Sequence, residues 1–296
     1  MAVNIRTGAR TWGGHSMVAP LRRVLVYPPI PPAAGISWED FGYLGPLNHE
    51  RAAEEHAAFR RLLAEAGCEV VLGTLGSASL QDGIFPFDPV ITTDAGAILC
   101  RMGKALRAAE VTQAERTMAE LGIPIAGRIT APGTLEGGDC LWLDETTLAV
   151  GRGYRTNQEG IRQLSDLLAA QGVSVLPFDL PHWNGAGECL HLLSLISLVD
   201  EKMAVVYPPL MAVSLVQVLR ERGFTLIEVP REEFATQGPN VLATAPRRCI
   251  LLRENVETAR RLREAGCEVK VYAGDEISHN RTGGPTCLTR PLLRTA

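Results

Sequence analysis

A short phrase recurs five times along this 296-residue chain: a polar run at helical spacing, a glycine, then an apolar run that favours a strand. The first copy is Glu65-Ala66-Gly67-Cys68-Glu69-Val70, and the last, Glu264-Ala265-Gly266-Cys267-Glu268-Val269, repeats it letter for letter. Between them the phrase surrounds Gly122, Gly172 and Gly223, so the glycines stand 55, 50, 51 and 43 residues apart. A glycine closing a helix takes positive φ without steric penalty, and β-branched residues behind it favour an extended chain. A period near fifty residues marks one supersecondary unit used several times.

Polar residues recur in phase with the glycines. Asp88 follows the first glycine by 21 residues, Glu136 the second by 14, His191 the third by 19, Asn240 the fourth by 17 and Cys287 the fifth by 21. If the units close into a ring, these five residues come from equivalent places and meet at its centre. An ordinary open α/β sheet also produces glycine-then-strand repeats; the matched phase of the polar residues is what favours the ring.

Within the units, hairpins are legible. Val90-Ile91 and Ala97-Ile98-Leu99 flank the turn Asp94-Ala95-Gly96, and similar pairs flank residues 144–147 and 200–202. Residues 48–66 read as a helix with Asn48 at its N-cap. Val24-Leu25-Val26-Tyr27 reads as a strand stopped by Pro28-Pro29. The Pro- and Gly-rich stretch from Pro28 to Pro46 is a lid or a surface crossing. No linker or charge block divides the chain, so residues 1–296 are expected to form one domain, with 1–20 as a loosely ordered leader.

Composition narrows the function classes. Apolar residues make up 46% and charged residues 21%, enough for a large buried core. The net charge of −4 and the absence of a basic stripe with interleaved aromatics argue against nucleic acid. The longest apolar runs fall short of the roughly 20 residues that a membrane span needs, and no secretory h-region is visible. Seven cysteines without a CxxC pair fit neither a disulfide framework nor a tetrahedral zinc site. A cytoplasmic protein is expected, with no cofactor and no metal. The oligomeric state stays open, with a homodimer as the assembly to test.

Four places carry the chemistry. Cys287 follows Gly283-Gly284-Pro285-Thr286, a loop that lets backbone approach a ligand and leaves a thiol within reach, whereas the other six cysteines, most of them in or beside apolar strands, read as core. Glu136 opens Glu136-Gly137-Gly138-Asp139 ahead of a strand, and His191 lies among aliphatic residues. His15, His49, His56, His182 and His279 have no support from the repeat and read as surface or capping residues. Asp88, between Phe87 and Pro89, needs a cation to offset its burial. Arg101, Arg107, Arg152 and Arg155 are candidate carboxylate clamps, because a guanidinium presents a planar fork.

Together these residues resemble the guanidine-modifying (pentein) superfamily, and most closely its dimethylarginine dimethylaminohydrolase branch. The resemblance runs from about Val24 to Leu293. It rests on Leu135-Glu136-Gly137-Gly138-Asp139, Arg155-Thr156-Asn157-Gln158, Leu190-His191-Leu192 and Gly283-Gly284-Pro285-Thr286-Cys287-Leu288-Thr289 in that order. It implies a five-bladed, pseudo-symmetric α/β propeller of ββαβ-like units with a central active site. It further implies Cys287 as nucleophile, His191 as general acid and base, and Glu136 beside it. Asp88 would bind the guanidinium, Arg107 and Arg155 the substrate α-carboxylate, and Asp82 its amino end. The implied reaction is hydrolysis of a substituted guanidine, N-methylated arginine above all, to citrulline and an alkylamine through a thiouronium on Cys287.

Two departures from the family pattern bear on the substrate. Deiminases and amidinotransferases carry an aspartate two residues after the histidine, where this chain has Leu193, which favours a substituted guanidine. Dimethylarginine hydrolases carry Glu before the guanidine-binding Asp, where this chain has Phe87. Amidino transfer and arginine deimination remain the alternatives within this fold, and a non-catalytic binding ring is the alternative outside enzymes.

Overall fold

The computed structural model describes residues 10–31, 34–188 and 190–295. Strand β1 (Leu21–Val26) is followed by the one-turn helix α1 (Trp38–Phe41) and by α2 (His49–Glu65), which leads to β2 (Glu69–Leu72), parallel to β1. Asn48 caps α2, its side-chain oxygen accepting from Arg51 N at 3.0 Å.

Four units then repeat one design, an antiparallel hairpin joined through a helix to a third, parallel strand. The first is β3 (Val90–Thr93), β4 (Gly96–Leu99), α3 (Ala108–Glu120) and β5 (Ile125–Arg128). Next come β6 (Cys140–Asp144), β7 (Thr147–Arg152), α4 (Gln158–Ala169) and β8 (Ser174–Asp179). After these lie β9 (Ile196–Asp200), β10 (Met203–Val206), α5 (Val213–Glu221) and β11 (Thr225–Glu228). A further copy uses β12 (Leu242–Ala245), β13 (Arg248–Leu252), α6 (Val256–Glu264) and β14 (Glu268–Tyr272). The last strand, β15 (Arg290–Arg294), returns to pair antiparallel with β1 and completes the first sheet.

The result is five three-stranded sheets, in the orders β15-β1-β2, β3-β4-β5, β6-β7-β8, β9-β10-β11 and β12-β13-β14. This is the five-bladed α/β propeller that the family resemblance implies, and the ring that the phased repeats favour. Burial sets the radial order. The strands β3, β6, β9, β12 and β15 are almost wholly buried, whereas β2, β5, β8, β11 and β14 are mostly exposed or half-buried. The first strand of each sheet therefore faces the centre and the third faces solvent. The five repeat glycines all take left-handed φ, between 70° and 88°, at the same helix-to-strand corner. No helix among the described residues is long and apolar enough to cross a membrane.

Two expectations are corrected here. Of the supposed loose leader, residues 1–9 lie outside the described residues, but residues 10–20 are tied down. Gly13 N donates to Leu292 O at 2.8 Å, Arg294 N to Gly13 O at 2.9 Å, and Gly14 N to Asp94 Oδ1 at 2.7 Å. Two histidines read as surface residues are buried. His15 stacks on Trp142 with ring centroids 4.3 Å apart, and His56 packs within the inner face of α2. His15 is covered by residues far away in sequence.

Candidate active site

Asp88, Glu136, His191, Asn240 and Cys287 each lie just ahead of a first strand, respectively β3, β6, β9, β12 and β15. Their common position gathers them around one cavity of about 160 Å³, lined among others by Asp82, Asp88, Arg107, Arg155, His191 and Cys287, with Asn240 behind Cys287. Glu136 lies directly beneath, fully buried.

The floor is a closed network. His191 Nε2 and Glu136 Oε2 are 2.7 Å apart, and Arg155 Nη1 donates to the same oxygen at 3.2 Å. The other oxygen of Glu136 accepts from the backbone N–H groups of Gly103 (2.9 Å) and Lys104 (3.2 Å). Burial opposes ionisation of Glu136. The hydrogen bond and charge of His191, with Arg155 and Arg107, outweigh it and hold Glu136 below the usual carboxylate range. Asp88 is bound on both sides: Gly138 N donates to Oδ1 at 2.9 Å and Arg107 Nη1 to Oδ2 at 2.6 Å. His191 Nδ1 faces Asp88 Oδ1 at 4.0 Å.

The paired glycines of this motif have a steric reason. A Cβ on Gly138 would fall 2.5 Å from His191 Nδ1 and 2.8 Å from Asp88 Oδ1, so only glycine lets the two side chains meet. Asp139, the last residue of the motif, is buried behind the floor, and Leu192 N donates to its Oδ1 at 3.0 Å. Burial pushes its carboxyl up to about 6, against the pull of His191 and Thr156.

Cys287 is half-buried, unlike Cys68, Cys100, Cys140, Cys249 and Cys267, which are buried. Cys189 lies outside the described residues. Asn240 Nδ2 donates to Cys287 Sγ at 3.3 Å while its Oδ1 accepts from Thr286 N at 3.0 Å, so one amide fixes both the thiol and its loop. The repeat phase had put Asn240 at the centre without giving it a role. Burial raises the Cys68 thiol to about 11 and the Cys100 thiol further, which keeps both unreactive near neutral pH.

At the rim, Asp82 Oδ1 accepts from Tyr43 Oη at 2.6 Å and its Oδ2 from Lys104 Nζ at 3.3 Å. Lys104 also donates to Phe41 O at 2.7 Å, which ties the stretch between Pro28 and Pro46 to the cavity mouth. Residues 32–33 of that stretch lie outside the described residues. Of the four candidate clamps, Arg101 and Arg152 are exposed and lie outside the cavity lining; Arg152 pairs with Asp179. Arg107 reaches the cavity, but its fork grips Glu110, Nε to Oε1 at 2.9 Å and Nη2 to Oε2 at 2.7 Å. Desolvation works against its charge, and Glu110 and Asp88 overcome it and keep Arg107 protonated. Sequence reasoning missed Lys104, Glu110, Tyr43 and Arg281, none of which belongs to a repeat or a motif.

Leu193 also departs from expectation. It is buried in the apolar core with Leu192 and Leu195 and is not among the residues lining the cavity, so an aspartate there would be a buried charge before it met any substrate. Nor does sequence spacing reveal that Asp88, Glu136 and His191 each bring a potential ligand atom within 4.8 Å of the others, a grouping that could hold a metal ion. The donors already on those oxygens, with two guanidiniums alongside, make it better suited to an organic cation that itself brings N–H groups.

The chain resembles known proteins over nearly all of this architecture. A family described as N,N dimethylarginine dimethylhydrolase, eukaryotic, matches residues 45–292. The N(G),N(G)-dimethylarginine dimethylaminohydrolase of Streptomyces coelicolor is 28% identical over 243 residues, covering 82% of this chain and 86% of that protein. The Pseudomonas aeruginosa protein of the same name is 29% identical over 191 residues, covering 64% of this chain and 70% of its own length. A solved structure of a mutant of that Pseudomonas protein, in complex with citrulline, superposes with a TM-score of 0.75 at 23% identity. The match covers 93% of this chain and all of the other.

Proposed function

The chain belongs to the dimethylarginine dimethylaminohydrolase family, a family of amidine hydrolases, and we propose that it hydrolyses an N-substituted guanidine of the methylarginine type through a covalent adduct on Cys287. The observation that carries this reading is the convergence of a thiol, a histidine held on a buried carboxylate, and a second carboxylate on one cavity.

A guanidinium is a delocalised cation whose carbon resists attack until its charge is localised. Asp88, fixed by Gly138 and Arg107, offers the carboxylate against which two of its N–H groups align. Cys287 Sγ, as thiolate, then adds to the central carbon, and the C=N electron pair moves onto nitrogen. With Nε2 anchored on Glu136, proton exchange with the substrate falls to His191 Nδ1, on the Asp88 side of the ring. His191 gives its proton to the substituted nitrogen, the C–N bond breaks and the alkylamine leaves. A thiouronium stays on sulfur. Water adds to its carbon as His191 takes one of its protons, the C–S bond breaks as the second passes to solvent, and a ureido product departs with the thiolate restored.

The test is to incubate the protein separately with asymmetric dimethylarginine, monomethylarginine and arginine, following citrulline by colorimetry and amine by mass spectrometry. Dimethylamine and citrulline in equal amounts from the first compound are expected, with Cys287→Ser folded and inactive, because serine is scarcely ionised near neutral pH. An active Cys287→Ser protein would end the covalent reading. Citrulline from arginine alone would move the chain to deimination.

A further inference from the structure

The cavity holds four cationic side chains, and three of them are already matched. Arg155 pairs with Glu136, Arg107 with Asp88 and Glu110, and Lys104 with Asp82. Arg281 is different. It is only 3% exposed, lines the same cavity as Cys287 and His191, and among the described residues has no ion pair. Its Nη1 donates to Tyr43 Oη at 3.1 Å and to Gln81 O at 2.7 Å, its guanidinium lies 5.0 Å from the centre of the Tyr43 ring, and its Nε has no hydrogen-bond partner. A buried cation held by neutral acceptors, with its Nε unused, is a site that an anion completes.

The neighbouring contacts decide which end of a substrate that anion belongs to. Asp82, the carboxylate that would receive a substrate ammonium, has one oxygen on Tyr43 Oη and the other on the Lys104 ammonium. An incoming ammonium would replace a cation that is already there, for little net gain. Arg107, the fork that would receive a carboxylate, is filled by Glu110.

We infer that Arg281 anchors the substrate's carboxylate and that the α-ammonium contributes little to binding, so the substrate class is guanidino carboxylic acids, with or without an α-amino group. This rests on the hydrolase reading for the reacting end and adds the recognition of the other end.

Three matched compounds test it: asymmetric dimethylarginine, its analogue without the α-amino group, and dimethylagmatine, which lacks the carboxylate. Binding to the Cys287→Ser protein is measured by calorimetry, and amine release by the active protein is measured in parallel. Loss of the ammonium should change affinity by less than about 3-fold, and loss of the carboxylate should weaken it by about 10–100-fold, the range of a charge-assisted hydrogen bond. Adding Arg281→Gln should collapse the second ratio toward one, and Arg281→Lys should restore part of it. The lysine variant, with a melting curve for each protein, separates lost recognition from lost folding.

The inference fails if Arg281→Gln weakens all three compounds equally, or if the ammonium matters more than the carboxylate. It fails also if no carboxylate-bearing guanidine binds. Binding that depends on Arg281 without amine release by the active protein would instead overturn the hydrolase reading and leave the anchor standing.

Discussion

The floor and the rim of one cavity are built on opposite plans. At the floor, Glu136 and Asp88 have both oxygens engaged, by backbone N–H groups, His191 and two arginines, and nothing charged is left over. At the rim, Asp82 faces Lys104 while Arg281 has only a phenol oxygen and a carbonyl. A closed network fixes geometry and suits bond making. An unbalanced one waits for a charge from outside and suits selection.

His191→Asn tests the floor most severely. It should lower kcat by about 10²–10⁴-fold, the usual worth of general acid–base catalysis, with KM little changed; steady-state kinetics on a turned-over methylarginine would show it. A change confined to KM would move His191 out of the chemistry.

Asp139→Asn probes the burial behind the floor. Because burial raises the Asp139 carboxyl to about 6, the folded protein binds this proton more tightly than the unfolded chain does. Its neutral form is therefore favourable below the unfolded value near 4, and that advantage is lost as pH rises through 6. Relative to Asp139→Asn, the wild-type protein should lose about 2 kcal/mol of stability between pH 4 and pH 6, read by urea unfolding across that range. A constant difference would mean that Asp139 is ionised throughout.

Arg155→Ala decides where the floor ends. Sequence resemblance makes Arg155 a remote carboxylate clamp, whose loss would raise KM. Its contact with Glu136 predicts instead a fall in kcat of about 10–100-fold, because the carboxylate that orients His191 loses a partner. A pure KM effect would assign Arg155 to the rim. The smallest expected effect comes from Asn240→Ala, which removes an N–H donor from Cys287 Sγ. Labelling of Cys287 by a haloacetamidine should slow by roughly 2–10-fold, the worth of one neutral hydrogen bond. An unchanged rate would leave Asn240 with the loop alone.

The same contrast explains what was legible in the sequence. The hexapeptide shared by residues 65–70 and 264–269 forms the same helix end, glycine corner and strand in two blades, because the hydrogen bonds that shape its corner are local and the strand it enters pairs with the equivalent neighbour in each blade. The residues of the floor were legible because the repeat that builds the blades also places them. The rim was not. Arg281 becomes a buried cation only because Tyr43, 238 residues away, and Gln81, 200 residues away, close around it. Its own neighbours in sequence, Asn280 and Thr282, read as an ordinary polar turn. His15 was misread for the same reason, since the ring it stacks on belongs to β6. Leu193 was misread through an assumption about direction: the 3₁₀ turn after His191 sends it into the core.

The pairing of β1 with β15 joins Leu21 to Arg294 and Leu25 to Arg290, almost the full length of the described chain. Contacts so distant in sequence carry the largest loop-closure entropy of any in the chain. Cys287 sits immediately before that closing strand. The thiol proposed as nucleophile is thus seated by the same pairing that shuts the circle, and a polypeptide nicked or unzipped at this seam would hold it away from the cavity it shares with His191. Reactivity becomes a certificate of completed folding.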